Sequence, residues 1–178
     1  FRGPSRAWRQ LAILAACLGL GPASSAFAQQ TLYWSGTSGT NAPLWSTLSA
    51  WSTLPGSWSQ PAAIPDATNN VVFSISSLTT PQDVYLGGNQ SALGLTFSST
   101  SATTLRGGAL GSPAVNTLTT GTGGISAAGV AGPVAFGTGT SDAVNILLGG
   151  SQTWNVLNVG GLTVLGSVAG SATAGTSQ

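Results

Sequence analysis

The sequence predicts an all-β chain wound as a parallel β-helix with a Trp-rich N-terminal cap. Beyond Asn70 the chain is a series of apolar runs, each a few residues long and rich in β-branched or aromatic side chains. They recur about every 9–12 residues with Gly, Asn, Ser or Pro between them, the spacing of a sandwich, barrel or solenoid. No window of a dozen residues after Ala28 combines helical periodicity with caps and good helix formers. The joints are Gly-rich pairs: Gly87-Gly88, Gly107-Gly108, Gly123-Gly124, Gly149-Gly150 and Gly160-Gly161. Glycine reaches positive φ without steric penalty, so it suits tight corners between stacked rungs. Very short strands with such corners favour a solenoid, in which each rung pairs with the next and like faces stack into one core. A twisted antiparallel β-sandwich is the alternative that the same strand spacing permits.

In chain order the expected strands are Val71–Ile75, Val84–Leu86, Leu93–Phe97, Thr103–Leu105, Val115–Leu118, Val134–Phe136, Val144–Leu148, Thr153–Val156 and Leu162–Leu165. Leu93, Leu95 and Phe97 alternate with smaller or polar residues and so share one strand face. Three segments follow: 1–28 as a signal peptide, 29–66 as the Trp-rich lead-in, and 67–178 as solenoid repeats expected to continue past Gln178.

Residues 1–28 read as an export address. Arg2, Arg6 and Arg9 make a positive start, Leu11 to Leu20 is apolar, Gly21-Pro22 breaks the helix, and Ala26-Phe27-Ala28 gives the small-x-small pattern for cleavage before Gln29. A stretch of about ten apolar residues is half the length needed to span a bilayer, so the mature chain is expected not to cross a membrane. Leu14-Ala15-Ala16-Cys17 also matches a lipoprotein box, which would make Cys17 a lipidated N-terminus. The apolar run continues past Cys17 and a second site follows, which favours the later cut.

Charge excludes much chemistry. The 178 residues hold four basic and three acidic side chains and no His, 4% charged in all, against about 25% in ordinary soluble proteins. The sequence also lacks Lys, Glu and Met. After cleavage Arg106, Asp66, Asp83 and Asp142 remain, and no Cys. General acid–base catalysis and glycoside hydrolysis need facing titratable pairs, zinc needs His or Cys clusters, and nucleic acid needs a basic patch. A non-enzyme without cofactor, metal or nucleic-acid partner is the expectation. Mean hydropathy of +0.29 with 42% hydrophobic residues argues for folding rather than disorder.

Trp34, Trp45, Trp51 and Trp58 form the strongest local cluster. Such rings either close the open first rung of a solenoid, which must be capped, or stack on sugar rings as a glycan-binding platform. Capping is favoured, and the four are the candidate glycan contacts if the chain is a carbohydrate-binding module. Asp66 after Pro65 and Asp83 after Pro81 read as turn residues whose carboxylates accept backbone N–H groups. Arg106 beside Gly107-Gly108 reads as a solvated turn cation. Gly137-Thr-Gly-Thr-Ser-Asp142 faintly matches a calcium-binding β-roll repeat, with too few carboxylates for the ion.

Asp83-Val-Tyr-Leu-Gly-Gly-Asn89, Leu93-Gly-Leu-Thr-Phe97, Thr104-Leu-Arg-Gly-Gly108 and Gly150-Ser-Gln-Thr-Trp-Asn-Val156 followed by Gly160-Gly-Leu-Thr-Val-Leu-Gly166 carry a family likeness. The chain resembles the passenger segments of bacterial proteins with autotransporter-associated β-strand repeats, and the lead-in Trp34-Ser-Gly36, Leu44-Trp45, Trp51, Pro65-Asp66 and Val71-Val-Phe73 resembles theirs. The resemblance covers about 140 residues through loose glycine–aliphatic motifs. It implies a right-handed, extracellular or outer-membrane-associated β-helix with a structural or adhesin role, and polysaccharide or other cell-surface molecules as partners. A polysaccharide lyase on the same fold would want Lys or Arg beside carboxylate-bound calcium, which this composition does not supply.

Overall fold

The computed structural model describes residues 29–36, 44–57, 59–75 and 80–170. Cys17, Ala26, Ala28 and Trp58 lie outside the described residues, and Gln29 is exposed. Among the described residues are twelve strands: β1 (Thr31–Trp34), β2 (Trp51–Ser52), β3 (Asn70–Phe73), β4 (Gln82–Tyr85), β5 (Gln90–Phe97), β6 (Thr103–Arg106), β7 (Asn116–Ala127), β8 (Val134–Phe136), β9 (Val144–Leu148), β10 (Trp154–Val156), β11 (Leu162–Val164) and β12 (Val168–Gly170). One short 3-10 turn, Leu48–Ala50, precedes β2.

Among these strands every pairing of one rung with the next is parallel, and β1 with β2 is the one antiparallel pair. The chain is therefore a β-solenoid of about three turns, and the antiparallel sandwich is ruled out. Three stacks run along it. The front of β5 pairs with the front of β7, which pairs with β9 and then β12. The rear of β5 pairs on one side with β3 and on the other with the rear of β7, which carries β10. The third stack is β4, β6, β8 and β11.

Long β5 and β7 each serve two stacks, with a register shift between Ala92 and Gly94. Gly123-Gly124, expected as a joint between strands, lies inside β7 instead. It still makes a corner: Gly124 has φ +65°, and a Cβ there would fall 2.1 Å from the Thr153 carbonyl oxygen of the next rung. Backbone pairing survives the bend because only glycine tolerates both the positive φ and the close approach.

Like positions stack down the interior. Val71 lies beside Leu95, Leu95 beside Ile125, and Ile125 beside Trp154. Phe73 stacks on Phe97 with centroids 4.9 Å apart and planes 6° from parallel. Phe97 meets Phe136 edge to face at 6.1 Å. Each such side chain taken out of water contributes roughly 1.5–3 kcal/mol, with no disulfide in the sequence after Cys17 to assist. A polar group lies buried as well: Gln82 donates from Nε2 to the buried Ser99 Oγ at 3.1 Å and Thr103 Oγ1 at 2.7 Å.

The Trp-rich segment closes the N-terminal end. β1 extends the second stack and β2 terminates it antiparallel. Leu44 bridges Tyr85 on the outer edge of β4, and Trp45 N–H donates to the Tyr85 carbonyl at 2.7 Å. The first edges of the second and third stacks are thereby covered. Trp34, Trp45 and Trp51 fill the cross-section beneath: Trp51 lies 4.9 Å from Trp34 and 5.0 Å from Trp45, edge to face in both cases, and all three reach Phe73. Trp51 Nε1 donates to the Trp45 carbonyl at 2.7 Å, which ties the two arms of the cap together.

Candidate functional site

Three of the four charges in residues 29–178 meet on the outer face of the third stack. Asp83 and Tyr85 point outward from β4, and Arg106 from β6, because alternate residues of a strand face opposite ways. The parallel register sets Tyr85 directly beside Arg106. The loop after β8 then brings Asp142 over the same guanidinium.

Arg106 Nε donates to Asp142 Oδ2 at 2.7 Å, and Nη1 donates to Asp83 Oδ2 at 3.1 Å and to the Tyr85 hydroxyl at 3.3 Å. Nη2 donates to Thr138 Oγ1 at 3.1 Å. The guanidinium carbon also sits 5.4 Å from the centre of the Tyr85 ring, a cation–π distance. One planar cation thus joins β4, β6 and the loop between β8 and β9, the geometry arginine allows and lysine does not.

Asp142 is the more deeply held carboxylate, its side chain 4% exposed against 39% for Asp83. Its Oδ1 accepts the backbone N–H groups of Thr138 at 2.9 Å and Gly139 at 2.8 Å, and its Oδ2 accepts the Thr138 hydroxyl at 2.7 Å. Burial alone would raise this carboxyl. The bonds from Thr138, Arg106 and Gly139 outweigh it and lower the value from 3.8 to about 2. Arg106 is held above its usual range: burial opposes its charge, and the bonds to Asp142 and Asp83 more than compensate.

A cleft of about 320 Å³ opens beside this cluster, lined by Arg106, Thr138, Ser141, Asp142 and the loop Gly107 to Pro113. What the arrangement does chemically is limited. The cation has two carboxylate partners, and both oxygens of Asp142 are engaged by the loop it closes, so the group is built to hold rungs together. Among the described residues no three His, Cys, Asp or Glu side chains gather as a metal site.

The sequence expectation treated Asp83 and Arg106 as separate turn residues and placed Asp142 only in a faint calcium-repeat match. Arg106 instead ends a strand and forms two ion pairs, and Asp142 is buried. Asp66 does sit in a turn, its Oδ1 accepting the Thr68 N–H at 2.8 Å and hydroxyl at 2.6 Å. The candidate glycan contacts Trp34, Trp45 and Trp51 are 2%, 0% and 0% exposed, their faces turned to one another and to Phe73. Among the described residues no helix is long and apolar enough to cross a membrane.

No protein-family model matches the chain, and searches of curated proteins and of solved structures return no match.

Proposed function

We propose that the chain is a non-enzymatic β-solenoid passenger segment, exported from a bacterial cell, with a structural or adhesive role at the cell surface or beyond it. The observation that carries this reading is the use made of its charge. Of the four ionic side chains in residues 29–178, three bind one another across rungs, and the fourth, Asp66, closes a turn. An enzyme keeps titratable groups poised toward a substrate; here the only clustered ones face each other.

Three further features support it. The positive, apolar and small-x-small regions of 1–28 have the order of a secretory signal. A stacked parallel core without cysteines suits a solenoid stabilised by backbone pairing and apolar packing. The glycine–aliphatic motifs of 83–166 resemble those of autotransporter-associated repeats.

Expression with an added initiator Met in a bacterial host tests the export. The expected product begins at Gln29, lies outside the inner membrane, and stays unprocessed on Ala28→Arg. An uncleaved chain retained in the cytoplasm contradicts the reading, and a lipid-modified N-terminus at Cys17 would replace cleavage at Ala28 with lipoprotein anchoring. Purified mature chain is then expected to bind immobilised cell-surface polysaccharide or whole cells while turning over no glycan.

A further inference from the structure

Ion pairing at Arg106 leaves part of the cluster unspent. Four of the five guanidinium N–H groups have partners in Asp142, Asp83, Tyr85 and Thr138, and the fifth, on Nη2, has none among the described residues. The Tyr85 hydroxyl accepts from Nη1 and keeps its own proton. The Thr138 hydroxyl accepts from Nη2, donates to Asp142 and keeps a lone pair. Ser141 adds an exposed hydroxyl. Arg106, Tyr85, Thr138 and Ser141 all line the cleft of about 320 Å³.

The walls of this cleft are fixed by bonds within the chain. On one side Ala109 and Ser112 exchange both backbone hydrogen bonds at 2.9 Å, closing a hairpin whose tip, Leu110, is 52% exposed. Gly108 and Gly111, at φ +74° and +76°, let the chain turn so tightly. On the other side Asp142 holds the loop between β8 and β9 through the N–H groups of Thr138 and Gly139. Walls already ordered lose little conformational freedom when a ligand enters.

We propose that this cleft binds one uncharged hexose unit of a polysaccharide. Charge selects the class. The cluster carries one positive and two negative side chains, so an anion meets an excess of its own sign. A cation would face Arg106 with both oxygens of Asp142 already engaged. What remains is donors and acceptors side by side: Nη2 and Tyr85 donate, Thr138 accepts, and Ser141 does either. Hydroxyl groups answer that pattern, because each both donates and accepts. Leu110 and Pro113 supply an apolar wall for the C–H face of a sugar ring. The volume lies at the lower end of ligand clefts and suits a single small ring. A peptide fits less well, since Ala109 and Ser112 spend their backbone groups on each other and leave no edge there for an added strand. The inference deepens the adhesive reading above: it rests on that reading for the polysaccharide and supplies the site.

Titration of the nitrogen-15-labelled full chain with trisaccharides of glucose, galactose and mannose, followed through backbone amide shifts, tests it. At least one is expected to bind with a Kd of about 0.1–10 mM. It should move the amides of 109–112 and 138–141 and leave those of β1 and β2 in place. Trimers of galacturonic acid and of glucosamine should bind about tenfold more weakly or worse. Leu110→Ala should weaken binding about fivefold or more and Ser141→Ala about threefold. Both side chains are exposed, so the circular dichroism spectrum should not change. No saturable shift with any of the three neutral trisaccharides, shifts centred elsewhere, preference for a charged trimer, or unchanged affinity in both variants overturns the proposal. Attachment to whole cells is scored separately. Attachment by a chain whose cleft takes no trisaccharide removes this site and leaves the adhesive reading standing, whereas trisaccharide binding by a chain that attaches to no cell does the reverse.

Discussion

Arg106 Nε lies 2.7 Å from Asp142 Oδ2, although the two residues are 36 positions apart in the chain. The pair spans two rungs. It fastens the loop before β9 to the end of β6, while the same guanidinium reaches back to Asp83 on β4.

Removing the cation should therefore cost more than a surface ion pair. Arg106→Met leaves Asp142 buried without its counter-charge, and a loss of about 2 kcal/mol is expected. Asp83→Asn, at a carboxylate 39% exposed, should cost under about 1 kcal/mol. Urea denaturation of the two variants checks the ranking, and equal losses would contradict it.

Stability should fall in acid within a defined window. The Asp142 carboxyl is lowered from 3.8 to about 2 in the folded chain, so its contribution is whole above pH 4 and drains away as pH drops toward 2. The shift corresponds to on the order of 2 kcal/mol. Denaturation midpoints between pH 2 and pH 6 should show this slope, and Asp142→Asn should flatten it.

Close approach of backbones predicts which glycines are replaceable. A Cβ at Gly107 would sit 2.0 Å from the Ala114 carbonyl oxygen and 2.8 Å from that of Ala143, while one at Gly139 meets nothing within 4 Å. Gly107→Ala should lower stability by about 3 kcal/mol or prevent folding, and Gly139→Ala should stay within about 0.5 kcal/mol of the parent. Thermal melts of both variants decide it.

The cap should behave as core. Trp51 is fully buried between Trp34, Trp45 and Phe73, so Trp51→Ala should cost about 3–5 kcal/mol. That is a large share of the 5–15 kcal/mol typical of a domain. A glycan platform predicts the opposite, a stable variant that has lost sugar binding.

Much of the fold was legible because β-branched runs and glycine corners are local signals. Expected strands 134–136 and 144–148 coincide with β8 and β9. β12 was not expected, since Val168-Ala-Gly170 is short, small and Gly-bound. β7 was underestimated because the glycines at 121–124 interrupt the apolar pattern, yet pairing with β5 resumes at Gly124 after a register shift. The Arg106 cluster was not legible. Rung length varies: Gln82 sits beside Thr103, 21 residues on, and Thr103 beside Val134, 31 residues on. With no fixed period, a sequence gives no means of telling which outward residues of neighbouring rungs will meet. A lone Arg among three Asp was the one available hint, since a charge-poor chain has few partners to choose from.

Parallel register is the claim on which the cap and the ion cluster both depend. The most direct test is the outward pair Thr104 and Ala135, neighbours on β6 and β8. With Cys17→Ser, the double variant Thr104→Cys, Ala135→Cys should close an intramolecular disulfide, because adjacent strands bring the two Cα atoms within the roughly 4.4–6.8 Å that the bond requires. Thr104→Cys with Ser126→Cys, on a different stack, should not close. Cross-linking of the second pair, or of neither, would contradict the stacking and the account built on it.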